Sequence, residues 1–179
     1  MVYLFLAEGF EEIEALCVLD LLRRAGVNIK TVGVTGKTVS GSHNIPVICD
    51  MLENELSLDD DFEMIILPGG LPGADNLNNS SVVDAFIKRA VERNKFICAI
   101  CAAPYILGIR NLLNGKKATC YPGFEDKLLG ATTLNLGVVR DGKIITGRAM
   151  GSAIDFALEI VEALLGKETR EKIKASIIY

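Results

Sequence analysis

Short apolar runs recur along the chain at the spacing expected of a buried sheet. Residues 2–6, 63–67 and 96–100 are almost wholly apolar, and residues 29–35 are partly so. Continuous apolar runs of this length, rich in β-branched residues, are typical of parallel strands that are covered on both faces. The pattern therefore predicts four buried strands.

Longer amphipathic stretches lie between these runs and predict helices. The first predicted helix, residues 10–25, has acidic residues in its first turn, two arginines in its last turn and a glycine beyond, as the helix dipole favours. In the last predicted helix, which Gly166 ends, apolar side chains at 154, 158, 161 and 165 share one face. Two more helices are predicted, one capped by Ser80 or Ser81 and running to residue 93, and one over residues 102–113.

Two further segments predict antiparallel pairs. Residues 138–145 place an Asp-Gly pair between apolar stretches, which is a strong hairpin signal, and residues 38–50 alternate like an excursion at a sheet edge. Alternating strands and helices predict an α/β fold, a three-layer sandwich whose mostly parallel sheet has helices on both faces. Ligands of such folds bind outside the carboxyl ends of the strands.

Cys101 lies where a predicted strand changes directly into a predicted helix, which is the pattern of a nucleophile elbow. Such a turn lifts one side chain above the sheet edge and directs free backbone N–H groups toward it. Because a helix N-terminus lowers the pKa of a cysteine, we expect Cys101 to be a reactive thiolate. The alternative is a buried cysteine that acts as a small apolar side chain, which the elbow disfavours.

Three turns should converge at this edge: the turn after the first strand, the turn at residues 68–70, and the elbow. Glu14 lies one turn into the first predicted helix, from which its carboxyl group can form an acid/base pair with the thiol. A solvated glutamate is the alternative interpretation. Glu8, Glu11 and Glu12 crowd the same turn, and spacing alone does not rank them.

The glycine pair Gly69 and Gly70 leaves backbone N–H groups open to a ligand. Together with the N–H of Ala102, these groups can receive a developing oxyanion, although a plain tight turn is the alternative. A phosphate cradle is a weaker hypothesis, because residues 69–73 lack the Lys-Ser/Thr pair of a P-loop and Pro72 has no N–H.

The remaining cysteines and the single histidine predict no second site. An odd number of cysteines favours free thiols, namely Cys17, Cys49, Cys98, Cys101 and Cys120. Cys98 and Cys101 form a C-x-x-C, but strand alternation directs Cys98 into the core, so we do not expect a redox pair. Cys17 and Cys49 are also expected in the core. His43 and Cys120 have no metal-like spacing, so no metal is expected.

Composition limits the function classes. A chain of 179 residues that is 50% hydrophobic and 23% charged fits a single domain spanning residues 1–179. Its net charge of -4 and the lack of any dense basic cluster argue against nucleic acid and membrane partners. The first residues do not read as a secretory signal, so we expect a cytoplasmic protein.

Several stretches together resemble one known family, the ThiJ/PfpI superfamily, in the branch of the Parkinsonism-associated deglycase and its bacterial relatives. They are AEGFEEIE at 7–14, ILPGG at 66–70 with GA at 73–74 and NL at 76–77, AICAAP at 99–104, TGR at 146–148 and FALEIVEAL at 156–164. The resemblance implies a flavodoxin-like fold, usually a homodimer, and no cofactor. It also implies that Cys101 is the reactive cysteine, that Glu14 is hydrogen-bonded to it, and that Gly69, Gly70 and Ala102 line the anion pocket.

Two departures from the family pattern bear on the chemistry. Where the deglycase branch often has histidine before proline, this chain has Tyr121 before Pro122, so Tyr121 must supply any hydrogen bond there. Where the protease-like branch has histidine after the cysteine, this chain has Ala102. A peptidase is therefore disfavoured, because a catalytic thiol that cleaves amides usually needs a histidine base.

The leading hypothesis from the sequence is a cofactor-free enzyme of glyoxalase or deglycase type. Cys101 would attack a reactive dicarbonyl such as methylglyoxal, or a glycated adduct, and Glu14 would relay a proton on the way to lactate. The second hypothesis is an oxidative-stress sensor or chaperone that depends on oxidation of Cys101. A third and weaker hypothesis is a small-molecule or peptide hydrolase.

Overall fold

The computed structural model describes residues 1–179, in which strands and helices alternate along most of the chain. The strands are β1 (Val2–Leu6), β2 (Ile29–Gly33), β3 (Thr38–Ser40), β4 (Pro46–Ile48), β5 (Met51–Leu52), β6 (Met64–Leu67), β7 (Phe96–Ile100), β8 (Lys117–Ala118), β9 (Thr132–Thr133), β10 (Val138–Asp141) and β11 (Ile144–Gly147). The helices are α1 (Glu12–Arg24), α2 (Gly73–Asn79), α3 (Ser81–Glu92), α4 (Pro104–Gly108), α5 (Ala153–Leu165) and α6 (Lys167–Ser176).

Seven strands form one sheet in the order β10-β11-β7-β6-β1-β2-β5. Its neighbours pair in parallel, except for β10, which runs antiparallel to β11. The five principal parallel strands follow the order 2-1-3-4-5, which is that of flavodoxin-like folds. The chain leaves β1 for β2 on one side and later returns to β6 on the other. The ligand-binding crevice of such a fold is therefore expected at the carboxyl ends of β1 and β6.

Strand β1 shows how the sheet separates two cores. Tyr3 and Phe5 belong to a core with Phe86 of α3, whereas Leu4 and Leu6 belong to the opposite core. That second core also contains apolar residues of α1 and α5. The alternation follows from the two-residue period of a strand. The predicted three-layer α/β sandwich is confirmed.

The helix predicted over residues 102–113 is wrong in its length, because α4 has only five residues. The chain leaves the helix in a left-handed turn, with Asn111 at φ 59° and the Leu112 N–H donating to the Leu107 carbonyl at 3.1 Å. This is the Schellman pattern that ends helices, and asparagine accepts the left-handed position better than most residues.

Other predicted elements agree closely with the structure. Both antiparallel pairs form, although β3 and β4 make a small sheet of their own instead of extending the main one. Ser80 caps α3, since its Oγ accepts a hydrogen bond from the Val83 N–H at 3.2 Å. Helices α2 and α6 were not predicted. None of the helices combines the length and the apolar character needed to cross a membrane.

Replacing Phe86 with alanine should be strongly destabilising. Its side chain is fully buried, with ring centroids 5.6 Å from Tyr3, 5.6 Å from Phe5 and 5.4 Å from Phe62. Removing such a ring leaves a cavity and costs about 3–5 kcal/mol of unfolding free energy, measured by urea denaturation. Phe86→Leu is the control and should lose less than half as much. A loss below about 1 kcal/mol for Phe86→Ala would contradict this packing.

Candidate active site

Cys101 follows β7 immediately and adopts a left-handed backbone, with φ 64°. Non-glycine residues rarely take this conformation, so surrounding contacts must hold it. The Cys101 N–H donates to the Gly147 carbonyl at 2.9 Å, and the Cys101 carbonyl accepts from the Tyr121 N–H at 2.8 Å. The backbone is therefore fixed on both sides, and the half-buried thiol is presented at the carboxyl edge of the sheet.

Glu14 reaches the same place from the first turn of α1. Its side chain is only 1% exposed, and its Oε2 accepts a hydrogen bond from the Gly69 N–H at 2.9 Å. Its Oε1 is buried without an aligned hydrogen-bond partner. The structure thus selects Glu14 from the crowded acidic residues of this turn, since helix phase directs it inward next to Cys101.

Gly69 lies directly between the two side chains. A Cβ atom at this position would stand 2.6 Å from the Cys101 Cβ and 2.7 Å from Glu14 Oε2, closer than real Cβ contacts allow. Only glycine therefore fits here. Because the Gly69 N–H is already bonded to Glu14, the N–H groups that interact with the Cys101 sulfur are those of Gly70 and Ala102.

Two loops hold this arrangement through backbone contacts. The Glu11 N–H donates to the Gly69 carbonyl at 2.9 Å, and the Gly73 N–H donates to the Gly9 carbonyl at 3.2 Å. Gly70 has φ 84°, and a Cβ there would lie 2.4 Å from both the Glu11 nitrogen and the Gly9 oxygen. The crevice between β1 and β6 is consequently closed by backbone packed on backbone.

The thiol opens into a cavity of about 210 Å³. Its walls are formed by Gly70, Leu71, Cys101, Ala102, Tyr121 and Phe124. The lining is mainly apolar, and the volume suits a molecule of only a few heavy atoms. Tyr121 is present as expected and is 47% exposed. The sequence analysis missed Leu71, which follows Gly70 directly, and Phe124, which lies three residues after Tyr121.

Burial controls the charge of the Glu14 carboxyl group. It raises the pKa of Glu14 from an ordinary value of 4.5 to about 7, and the nearby Glu11 charge adds to this rise. The interaction with the thiol and the Gly69 N–H act in the opposite direction. Below about pH 7 the carboxyl group is therefore protonated and can donate a hydrogen bond.

The Cys101 thiol does not have the low pKa that the elbow predicted. Burial raises its pKa to about 12 and the Glu14 carboxylate contributes to the rise, whereas the Ala102 and Gly70 N–H groups lower it. Helix α4 cannot compensate, because it is one short turn that begins at Pro104. The prediction that the elbow makes Cys101 a low-pKa thiolate is therefore wrong.

The thiol and the carboxyl group act as one coupled unit that shares protons. When Glu14 is ionised, it can accept the thiol proton as the sulfur attacks an electrophile. When Glu14 is protonated, it can donate to a thiolate or to an oxygen formed from the substrate. The pair can thus move a proton between two atoms of a molecule in the cavity.

His43 does not serve the thiol. Its ring is exposed and its Nδ1 lies 3.0 Å from Glu12 Oε2, while its backbone N–H donates to Glu12 Oε1 at 2.7 Å. Ligand atoms of Glu11, Glu12 and His43 approach one another within 4.8 Å, a cluster that sequence spacing had not suggested. The buried Glu12 carboxylate already accepts hydrogen bonds from His43 and Ser42. These bonds hold the β3–β4 hairpin against the start of α1.

The other cysteines lie apart from the cavity. All five are free thiols, as predicted. Cys98 is fully buried in the core that contains α1 and α5, while Cys101 has left the sheet, which agrees with the prediction that they do not pair. Cys49 is buried as well, but Cys17 is only partly buried at the margin of this core.

Comparisons with known proteins agree with this architecture. The sequence profile of the DJ-1/PfpI family matches residues 1–163. The chain is 38% identical to Protein DJ-1 homolog B of Arabidopsis thaliana over 175 residues, which are 96% of this chain and 40% of that protein. It is 32% identical to the glutathione-independent glyoxalase DJR-1.2 of Caenorhabditis elegans, covering 90% of this chain and 86% of that one.

A solved structure of a relative superposes on nearly the whole chain. The oxidized form of Toxoplasma gondii DJ-1 has a TM-score of 0.95 and 36% sequence identity, with 99% of this chain and 97% of that one covered. The chain spans about two fifths of the Arabidopsis protein but almost all of the Toxoplasma one. With the fold, the elbow and these matches in agreement, the chain belongs to the DJ-1/PfpI family.

Proposed function

We propose that this chain is a cofactor-free enzyme that uses Cys101 to act on reactive dicarbonyls or their adducts, converting methylglyoxal to lactate. The observation that carries the proposal is the buried Glu14 carboxyl group beside the elbow thiol, at the wall of a small cavity. Its raised pKa of about 7 suits a group that must both accept and return a proton near neutral pH.

The reaction begins with attack of the Cys101 sulfur on the aldehyde carbon. As the C–S bond forms, Glu14 takes the thiol proton, and the aldehyde oxygen becomes an oxyanion that the N–H groups of Gly70 and Ala102 stabilise. Glu14 then returns its proton to this oxygen. The product of this step is a hemithioacetal, and the carboxylate is regenerated.

The second stage moves a proton between adjacent carbons. The Glu14 carboxylate removes the hydrogen of the former aldehyde carbon as a proton, which gives an enediolate. The proton of the hemithioacetal hydroxyl group passes to the former ketone oxygen, and Glu14 delivers its proton to the neighbouring carbon. The result is a lactoyl thioester on Cys101. Water hydrolyses it to lactate and the free thiol, so the net reaction is addition of one water molecule without any change in overall oxidation state.

An amine adduct of the dicarbonyl enters by the same route. Glu14 takes the thiol proton as the sulfur bonds to the carbinolamine carbon, and it passes that proton to the leaving amine as the C–N bond breaks. Two observations support carbonyl chemistry over peptide hydrolysis. No histidine lines the Cys101 cavity, and the worm relative bears the name of a glyoxalase.

A second candidate function is sensing of oxidants through Cys101. The half-buried thiol lies beside a carboxyl group that is protonated below about pH 7 and can donate a hydrogen bond to a sulfinate oxygen. The superposed Toxoplasma structure is of an oxidized protein. Both candidate functions use the same thiol, and only turnover distinguishes them.

We also propose that the protein assembles as a homodimer. Large apolar side chains are exposed on the neighbouring α1 helix and β3–β4 hairpin, with Ile13 at 53%, Ile45 at 51% and Ile48 at 76%. Exposure of several such side chains together is typical of an interaction surface. The cytoplasmic location stays a prediction from the sequence.

The central test is lactate formation from methylglyoxal without added glutathione or metal. We expect Cys101→Ser to abolish it and Glu14→Gln to lower kcat by about 100-fold or more, since the amide cannot relay a proton. Glu11→Gln, on the same turn, is the matched control and should stay within about twofold of the wild type. Full activity of Glu14→Gln would exclude Glu14 as the proton relay. Inactivity of the fully reduced wild type would overturn the proposed reaction.

The pH profile should report the Glu14 carboxyl group. The pKa of Glu14 is raised to about 7, so its base form is lost below that pH and kcat/KM should fall about tenfold per pH unit there. The Glu11 charge raises this pKa, so the midpoint for Glu11→Gln should move to lower pH. Initial rates measured from pH 5 to 9 test this. A rate that does not change between about pH 5 and 8 would exclude Glu14 as the base.

Oxidation offers a separate test of the second candidate function. After exposure to hydrogen peroxide below pH 7, mass spectrometry should find two added oxygen atoms on Cys101 before any other cysteine is oxidised. Glu14→Gln should retain a hydrogen-bond donor and form the same product. Glu14→Ala should instead shift the product toward sulfonate. Equal oxidation of Cys101 and the buried Cys98 would contradict a sensing role.

A further inference from the structure

A second cavity lies beside the Cys101 cavity. Its volume is about 260 Å³, and its lining residues are Cys120, Glu125, Thr133, Leu134, Asn135 and Arg148. Two of the segments that line this cavity are hydrogen-bonded to the backbone of Cys101. The Cys101 N–H donates to Gly147, the residue before Arg148, and the Cys101 carbonyl accepts from Tyr121, the residue after Cys120. The two segments that fix the elbow therefore also form the walls of this cavity.

The cavity carries one positive and one negative side chain that do not pair with each other. The partly buried Arg148 side chain makes no hydrogen bond or ion pair, unlike Arg140, which lies 3.5 Å from Glu159. The exposed Glu125 carboxylate accepts the Gly123 N–H at 2.6 Å, and no ion pair joins it to Arg148. The two charges thus stand in one cavity, near enough to interact but separated by more than ion-pair distance.

The remaining walls add polarity without charge. Burial raises the pKa of the Cys120 thiol to about 11, so it stays neutral and does not repel an anion. The side chains of Thr133 and Asn135 line the cavity and make no hydrogen bonds within the chain. Asn135 and Thr133 are therefore free to bind a polar ligand.

We propose that this cavity binds the head group of a free α-amino acid, with its carboxylate on Arg148 and its ammonium group on Glu125. A simple anion would leave Glu125 repelling it, and a simple cation would face Arg148, so a zwitterion matches both charges. An internal residue of a peptide lacks both head-group charges. The side chain of the bound amino acid extends along the Cys120–Tyr121 segment toward the thiol.

This subsite narrows the substrate class of the proposed enzyme, and in that respect it rests on the proposed function. The preferred adducts are those in which a dicarbonyl is attached to the side-chain nitrogen of a free amino acid such as lysine. Both head-group charges are then intact, and the adduct carbon is at the far end from them. Binding of the head group itself requires no turnover.

Calorimetric titration with three matched probes tests the subsite: L-norleucine, hexanoate and hexylamine. Norleucine should bind the wild type at least about tenfold more tightly than either of the others, since it alone makes both charge-assisted contacts. Arg148→Gln should weaken norleucine and hexanoate. Glu125→Gln should weaken norleucine and hexylamine but strengthen hexanoate. Arg140→Gln is the control variant and should change none of the affinities.

These opposite effects separate a zwitterion site from a general anion site. If hexanoate binds as tightly as norleucine, or if Arg148→Gln leaves norleucine binding unchanged, the head-group assignment is overturned. Because the probes carry no aldehyde or ketone group and no dicarbonyl adduct, this result is independent of whether the protein is an enzyme.

A turnover experiment then connects the subsite to Cys101. Arg148→Gln should raise KM about tenfold for the methylglyoxal adduct of free lysine, with the rate of the same variant on methylglyoxal as the reference. The adduct of Nα-acetyl-lysine methyl ester lacks both head-group charges, so neither Arg148→Gln nor Glu125→Gln should change its KM. Equal loss on both adducts would overturn the link, whereas inactivity of the wild type on methylglyoxal would count against the proposed function alone.

Discussion

The buried carboxyl group of Glu14 is the constraint on which the site depends. A carboxyl group at 1% exposure is tolerated only where hydrogen bonds or a proton compensate for lost water. Here one oxygen accepts the Gly69 N–H and the other has no aligned partner, so the group holds its proton up to about pH 7. While Glu14 holds this proton, no negative charge stands beside the thiol.

The fold provides that environment through its topology. The switch point between β1 and β6 brings the start of α1 and the Gly69–Gly70 turn together, and β7 then places Cys101 next to them. The strained backbone of Cys101 is held from both sides by residues of β11 and the Cys120–Tyr121 segment. Strain at the nucleophile is therefore compensated by bonds to neighbouring segments distant in sequence.

The sequence predicted the sheet, the two-sided helical cover and the position of the elbow, because buried strands and amphipathic helices are local patterns. It did not predict the brevity of α4, which depends on a left-handed turn at Asn111, a position where helical propensity gives no signal. Cys101 and Glu14 were identified correctly as neighbours by their places in the fold. The direction of the thiol pKa was wrong, because burial and a neighbouring charge are three-dimensional properties that a helix-start pattern does not contain.

The loops on the β1 and β6 side of the thiol touch each other through main-chain atoms, with glycines at Gly69, Gly70 and Gly73 that leave no room for a side chain. The opposite wall, from Cys120 to Phe124, consists of side chains, several of them exposed. Substitutions can therefore be accommodated in the wall of side chains. On the glycine-lined side, any added side chain would disrupt the contacts between main-chain atoms. Differences in substrate preference among proteins with this architecture should therefore be concentrated in the wall of side chains, while the chemistry of the glycine-lined side stays constant.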